Sequence, residues 1–163
     1  SCARLESDST DYVIRSLPLE QIVKPAVRKY APMFISKKLS LEMGSLTATV
    51  LTDEKWAQFI VEQILSNSLK YTRTGSIRIW QKDPAALVIE DTGIGIDPAD
   101  IPRLGERGFT GYNGRLDKKS TGIGLYLCRE ISRRLSHTLT IESEPGKGTR
   151  VTIDFATRQV QAE

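Results

Sequence analysis

Two carboxylates, Glu90 and Asp91, stand where the apolar run Leu87-Val88-Ile89 stops, and Thr92, Gly93 and Gly95 follow at once. A β-prone run that gives way to a Gly-rich bend brings one acid to the rim of a sheet, and the glycines let a flat ligand approach the backbone. An ionised Asp91 only accepts hydrogen bonds, so it suits a ligand edge that donates one, such as an exocyclic amine. Asp-Thr-Gly is also ordinary turn composition, and this stretch by itself leaves both readings open.

A second group lies upstream. Gln63, Asn67, Lys70 and Tyr71 fall at i, i+4, i+7 and i+8, one face of a helix, among Phe59, Ile60, Val61, Ile64, Leu65 and Leu69. Polar groups in such surroundings need partners or a ligand. The Asn67 amide oxygen is a hard donor of the kind Mg²⁺ takes, Lys70 can meet a phosphate as a point charge, and Tyr71 offers an aromatic face. A satisfied core amide and a lysine reaching for solvent would give the same pattern.

A third group is Ser120-Thr121-Gly122-Ile123-Gly124-Leu125, which runs into a helical stretch from Tyr126 to Leu135. Backbone N–H groups at such a helix start, where the macrodipole is positive, make a seat for phosphate. It is neither a dinucleotide fingerprint, since no Gly-x-Gly-x-x-Gly follows an early strand, nor a Gly-Lys-Ser/Thr loop. Ahead of it, residues 98–121 carry Gly105, Gly108, Gly111 and Gly114 mixed with Arg103, Arg107, Arg115, Lys118 and Lys119. A loop of that length inside a compact domain is expected to be functional, and its charge suits a lid over a polyanion, with Phe109 as the one large apolar anchor. A plain surface loop is the alternative.

The elements that must position these groups follow from hydrophobic period. From Glu20, the residues Ile22, Val23, Ala26, Val27, Tyr30 and Phe34 make one buried helical stripe, which Pro25 and Pro32 are expected to kink and then end. Leu39, Leu41 and Met43, then Gly44-Ser45, then Leu46, Ala48 and Val50, predict a hairpin. Asp53 is an N-cap for a helix over Glu54 to Tyr71, ended by Thr74-Gly75. A strand over Ile77 to Lys82 turns at Asp83-Pro84 into the Leu87 strand, so Asp91 ends the second arm of a hairpin. That favours a largely antiparallel sheet over a doubly wound parallel one. A closing hairpin joins Leu139–Ile141 to Val151, Ile153 and Phe155 through Glu144-Pro145-Gly146-Lys147-Gly148, and Leu17-Pro18-Leu19 suits a short edge strand.

The 163 residues, 39% hydrophobic and 26% charged, are those of one soluble globular domain. The formal charge is +3, with scattered Lys and Arg and few aromatics beside them, which argues against a nucleic-acid partner. Cys2 and Cys128 lack metal-type spacing and read as free thiols in a reducing compartment. No apolar run approaches the length of a bilayer span, and no signal peptide is visible.

With these stretches in order, the sequence resembles the catalytic ATP-binding domain of bacterial sensor histidine kinases, in the superfamily of gyrase, chaperone, kinase and mismatch-repair ATPases. Gln63-Ile-Leu-Ser-Asn67-Ser-Leu-Lys70-Tyr71-Thr72 resembles the N box, Asp91-Thr-Gly93-Ile-Gly95-Ile96 the G1 box, Arg107-Gly-Phe109-Thr the F box and Thr121-Gly122-Ile123-Gly124-Leu125 the G2 box. The wording around Leu69-Lys70-Tyr71 and Leu125-Tyr126-Leu127-Cys128 is similar to kinases that sense cell-envelope antibiotics such as bacitracin. The resemblance implies an α/β sandwich, a mixed and mainly antiparallel sheet covered on one face by three helices, with a long ATP lid. It implies that Asp91 accepts from the adenine amine, Asn67 binds Mg²⁺, Lys70 meets phosphate and Tyr71 flanks the base. Gly93 and Gly95 would shape the adenine pocket, and Ile96 would also belong to the ATP-binding set. Gly122 and Gly124 would hinge the lid and present N–H groups to phosphates, Thr121, Ile123 and Leu125 would bind ATP beside them, and Phe109 would pin the lid.

Two departures matter. The family usually has Asn one turn before the metal-binding Asn, and here Gln63 stands there, a possible second metal ligand on a longer arm. Hydrolysing relatives carry a water-activating Glu at that place; Gln63 has no useful basicity, and Glu62 points about 100° away around the helix, so efficient hydrolysis is disfavoured. Second, the sole histidine, His137 in Leu-Ser-His-Thr-Leu, reads as a cap or turn residue and not as the phosphoacceptor.

The expectation is therefore a catalytic domain at 17–156, with a lid at about 98–121, a remnant of a preceding dimerisation helix and linker at 1–16, and a polar tail at 157–163. Its partners would be the phosphoaccepting dimerisation domain and a response regulator. The fragment would be monomeric and its parent a homodimer anchored in the bacterial membrane, with this domain in the cytoplasm. An anti-sigma-factor-type serine kinase and a nucleotide-binding scaffold without catalysis are the rivals.

Overall fold

Alternation and helical period translate into ten elements in a computed structural model that describes residues 11–97, 99–100 and 123–156. In chain order they are β1 (Ile14–Pro18), α1 (Leu19–Lys37), β2 (Ser40–Met43), β3 (Thr49–Asp53), α2 (Glu54–Tyr71), β4 (Ser76–Lys82), β5 (Ala86–Asp91), α3 (Ile123–Arg134), β6 (Thr138–Glu144) and β7 (Gly148–Asp154). The lid expected around Phe109, together with Thr121 and Gly122, the segment 1–10 and the tail 157–163, lies outside the described residues.

The main sheet has the order β2-β4-β5-β7-β6, with β2 parallel to β4 and the other neighbours antiparallel. This is the mixed, mainly antiparallel sheet expected. Its inner face is built in cross-strand rows: Ile79, Ile89, Val151 and Ile141 form one, and Leu87, Ile153 and Leu139 the next. All seven are buried in the core shared with the three helices. Fully burying each such aliphatic side chain is worth roughly 1.5–3 kcal/mol, enough to fix the register, since a slip of one residue would turn every one of them outward. On the outer face Glu90 pairs with Arg78 and Arg150, whose guanidinium carbons stand 4.8 and 5.7 Å from the Trp80 ring.

Helix α2 has the expected bounds, and Asp53 caps it: Trp56 N donates to Asp53 Oδ1 at 2.9 Å, while Val13 N donates to Oδ2 at 2.8 Å. Its buried stripe runs through Ala57, Ile60, Val61, Ile64, Leu65, Ser68 and Leu69. The edge strand expected around Pro18 is present as β1, which pairs antiparallel with β3. Helix α3 begins three residues ahead of the expected Tyr126, at Ile123.

Two expectations are corrected. Pro32 does not end α1, which continues to Lys37 and closes on Lys38 in the left-handed region, φ 57°. The carbonyl that Pro25 leaves without its helical donor, that of Gln21, accepts from Gln58 Nε2 of α2 at 3.3 Å, and the carbonyl four residues before Pro32 belongs to exposed Arg28. Nor do β2 and β3 form a hairpin. Gly44 N donates to Ile79 O at 2.8 Å, and Gln81 Oε1 takes both Thr47 N and Ala48 N, at 2.9 and 2.7 Å. The amides a hairpin would have used are drawn to β4 instead. Strand β2 therefore runs parallel beside β4, and β3 crosses over to β1.

Candidate nucleotide site

The inner rows of the sheet are apolar until the last one. There Ile77, Asp91, Thr149 and Ser143 stand opposite one another, so a carboxylate and two hydroxyls replace aliphatic carbon at one end of the core. Asp91 is 6% exposed. Its Oδ1 accepts from Gly93 N at 2.9 Å and from Thr149 N at 3.2 Å, and the Ser68 hydroxyl of α2 also hydrogen-bonds the carboxylate. Burial raises the Asp91 pKa above the ordinary carboxylate value; these three donors oppose the shift and the neighbouring Glu90 charge adds to it.

The close approach this needs depends on glycine. At Gly148 the backbone has φ +135°, and a Cβ there would collide with the carbonyl oxygen of Asp91. At Gly93 a Cβ would lie 2.5 Å from Tyr71 O and 2.9 Å from both Asp91 Oδ1 and Thr72 Oγ1. The bare Gly93 thus lets its backbone lie close against a carboxylate and a hydroxyl. The Thr72 hydroxyl is buried and finds no hydrogen-bond partner, a cost of about 1–3 kcal/mol that a ligand atom would relieve.

Around Gly93 the sequence-predicted residues separate into layers. Tyr71 is buried, and its carbonyl accepts Ile94 N at 3.1 Å, tying the glycine bend to the end of α2. Gly95, at φ +75°, packs against the Glu144 carbonyl, and Ile96 donates its amide to Ser143 Oγ at 2.8 Å. Ile96 and Leu125 are core residues, 1% and 6% exposed. Gln63 and Asn67 lie half-buried on one shoulder of α2, one turn apart, and neither amide is bonded to another described residue. Lys70 is exposed beyond them, its Nζ 6.0 Å from the Tyr71 ring centroid. Ile123 and Gly124 open α3, which puts a helix N-terminus at the expected phosphate seat.

The donor set fits a magnesium nucleotide. Two amide oxygens one turn apart are hard ligands for an ion that keeps waters and takes the rest of its shell from phosphates. Among the described residues no group of three or more His, Cys, Asp or Glu could hold a metal by itself. Glu62, the only acid near Gln63 in sequence, is tied to Lys29 of α1 at 2.7 Å. His137 lies elsewhere: its Nε2 meets Thr52 Oγ1 at 2.8 Å, its amide closes α3 on Ser132 O, and burial lowers its pKa to about 4.

Ser68, Thr72 and Thr149 were not singled out by the sequence. Ser68 and Thr72 could have been, since two hydroxyls four apart continue an otherwise aliphatic stripe. Thr149 contributes a backbone amide, which leaves no mark in side-chain type.

Residues 52–159 match the family described as histidine kinase-, DNA gyrase B- and HSP90-like ATPases. The chain is 34% identical over 162 residues to the sensor histidine kinase YxdK of Bacillus subtilis strain 168, covering 96% of this chain and 50% of that protein. It is 33% identical to the sensor protein BceS of the same strain (95% and 47%) and 36% identical to the sensor histidine kinase GraS of Staphylococcus haemolyticus strain JCSC1435 (93% and 45%). The chain thus spans about half the length of these relatives. The fold is that of the catalytic domain of histidine kinase ThkA in a nucleotide-free form, with a TM-score of 0.75 at 15% identity, covering 89% of this chain and 96% of that one.

Proposed function

This chain belongs to the histidine kinase-, DNA gyrase B- and HSP90-like ATPase family, and from that premise we propose that it is the ATP-binding catalytic domain of a sensor histidine kinase, passing the γ-phosphoryl group of Mg-ATP to a histidine on a separate dimerisation domain. The observation that carries the reading is the meeting, at a Gly93 with no Cβ, of the Asp91 carboxylate and the unpartnered Thr72 hydroxyl. A purine edge with an amine beside a ring nitrogen fits that pair: the amine donates to Asp91 and the ring nitrogen accepts from Thr72. Guanine, which carries a carbonyl where adenine carries the amine, would set oxygen against oxygen.

Asn67 and Gln63 would hold the magnesium ion, which screens the phosphate charges and orients the terminal phosphoryl group. Lys70 would meet a phosphate from the exposed end of the same helix turn. Tyr71, Gly95, Ile96 and Leu125 would wall the base side. Gly122, Ile123 and Gly124 would turn N–H groups of the α3 start toward the phosphates, with Thr121 and Phe109 in the closing lid. Phosphoryl transfer asks mainly for positioning and charge neutralisation, and a domain with no basic group at position 63 is suited to transfer rather than to water activation.

Similarity to YxdK, BceS and GraS supports placing the parent among sensor kinases of that kind, with a response regulator as the next acceptor and a homodimeric parent. Among the described residues no helix is long and apolar enough to cross a membrane, so a membrane anchor of the parent would lie elsewhere. Calorimetry with ATP and GTP, each with and without Mg²⁺, tests the reading. ATP binding that Mg²⁺ strengthens and GTP does not share is the expected result; equal binding of both nucleotides, or of neither, overturns it.

A further inference from the structure

At the end of α3 remote from the nucleotide seat, about 18 Å along a helix of 12 residues, a cleft of about 380 Å³ is lined by Arg129, Glu130, Ser132, Arg133, His137 and Thr138 among others. Three of these residues carry buried polar atoms with no hydrogen-bond partner: Arg129 Nε, Ser132 Oγ and His137 Nδ1. Ser132 and His137 are 2% and 6% exposed. Unpaired polar groups so deeply buried are costly, and three around one cleft are rarer than one.

Their chemistry is of one kind. Arg129 Nε carries a hydrogen, and the Ser132 hydroxyl can donate one. His137 Nε2 lies 2.8 Å from the hydroxyl of wholly buried Thr52; with Thr52 donating, the ring proton sits on Nδ1. Three residues that line the cleft then each carry a buried donor. Of the acceptors near it, the carbonyls of Ile131, Ser132 and Arg133 take the amides of Leu135, His137 and Ser136, Glu130 is bound to Arg133 at 3.0 Å, and the Asp154 carboxylate, whose charge acts on His137, is itself engaged. Arg129 pairs with no carboxylate among the described residues. The basic last turn, Arg133 and Arg134, offsets the negative end of the helix dipole that would otherwise repel an anion.

We propose that this cleft is a second binding site, specific for a single oxyanionic group, phosphate or carboxylate, held by Arg129, Ser132 and His137. The site is independent of the nucleotide pocket, and its test does not require that ATP bind.

His137 is the only histidine in the chain, so its imidazole signals are unique in a nitrogen–proton correlation spectrum. Inorganic phosphate and sodium acetate are titrated separately into the 163-residue protein, with and without saturating ADP, at ionic strength held constant with chloride. The expected result is a saturable shift of the His137 ring with one or both anions, indifferent to ADP; saturation by phosphate alone assigns the site to phosphoryl groups, by acetate alone to carboxylates. Arg129→Met should weaken binding at least tenfold and Ser132→Ala several-fold, while Arg129→Lys retains part of it, each variant first shown to melt as the wild type does. Shifts linear in concentration, shifts that chloride reproduces, or an unchanged affinity in Arg129→Met would overturn the proposal and leave the cleft to water.

Discussion

Gly148 and Asp91 meet across the β5–β7 ladder so closely that a Cβ on Gly148 would strike the Asp91 carbonyl oxygen, and Gly148 holds φ +135° there. The closeness has a purpose one residue further on, where Thr149 N reaches Asp91 Oδ1 at 3.2 Å. Replacing Gly148 by Ala sets a backbone clash against a strained conformation, which costs about 1–3 kcal/mol from the strain alone. The expected outcome is a lower midpoint in urea together with weakened ATP binding, whereas Gly146→Ala, where a Cβ meets nothing within 4 Å, loses stability only. Calorimetry beside denaturation separates the two.

Asp91→Asn should abolish nucleotide discrimination without loosening the fold. Gly93 N and Thr149 N both donate to Oδ1, so an asparagine must put its oxygen there and point its NH₂ at the adenine amine, donor against donor. Loss of a charged hydrogen bond and its replacement by repulsion predict roughly a 10- to 100-fold fall in ATP affinity. Because burial holds the Asp91 pKa above its unfolded value, its ionisation opposes folding: its contribution to stability grows as pH falls through the raised pKa and is lost as pH rises. The neutral asparagine should therefore melt no lower than wild type at pH 7. In the wild type, ATP binding should weaken on acidification at a pH above that of an ordinary aspartate. Binding isotherms across the acid range, with Asp91→Asn as the insensitive control, check the sign.

Thr72→Val removes a buried hydroxyl that no described residue satisfies. Its stability should stay level or rise. If the hydroxyl serves the base, ATP affinity should drop about three- to tenfold, the worth of one neutral hydrogen bond. A structural hydroxyl would give the opposite pattern, lower melting with unchanged affinity.

What could be read from the chain and what could not follows from how local each cause is. The β4–β5 hairpin, the Asp53 cap and the Asp91 rim were legible because alternation, a capping side chain and a Gly-rich bend act within a few residues. The β2–β3 pairing was misread because its amides are claimed by Gln81 and Ile79, more than thirty residues away. The amides Gln63 and Asn67 stood out as polar residues in an apolar surround. Ser68 and Thr72 did not, since small hydroxyls on a buried stripe look like filler until the carboxylate they face is in place.

Asn67→Ala should remove the magnesium dependence of ATP binding while leaving the base contacts at Asp91 intact. Affinity in Mg²⁺ should fall to the metal-free value and affinity in EDTA should not change. Gln63→Asn shortens the second amide arm by one methylene. If both oxygens hold the ion, it changes the Mg²⁺ concentration at half effect and leaves metal-free affinity alone.

His137 gives the chain a pH-dependent stability that can be assigned to one residue. Burial lowers its pKa from 6.5 to about 4, with nearby Asp154 opposing, so the folded protein keeps the ring neutral while the unfolded chain takes up a proton below pH 6.5. Between those two values the unfolded state binds more protons, and stability therefore rises with pH and is lost as pH falls from about 6.5 toward 4. At 1.36 kcal/mol per unit the loss approaches roughly 3 kcal/mol by the lower limit. Asp91 titrates in the opposite sense, which blunts the net curve, so the difference between wild type and variant is the quantity to read. His137→Phe, which keeps the edge contact with Phe155 (centroids 4.9 Å apart) but not the ring nitrogens, should flatten that segment of the profile. Urea midpoints between pH 4 and pH 7 for the two proteins should converge on acidification; parallel curves would mean that folding does not shift the ring's pKa.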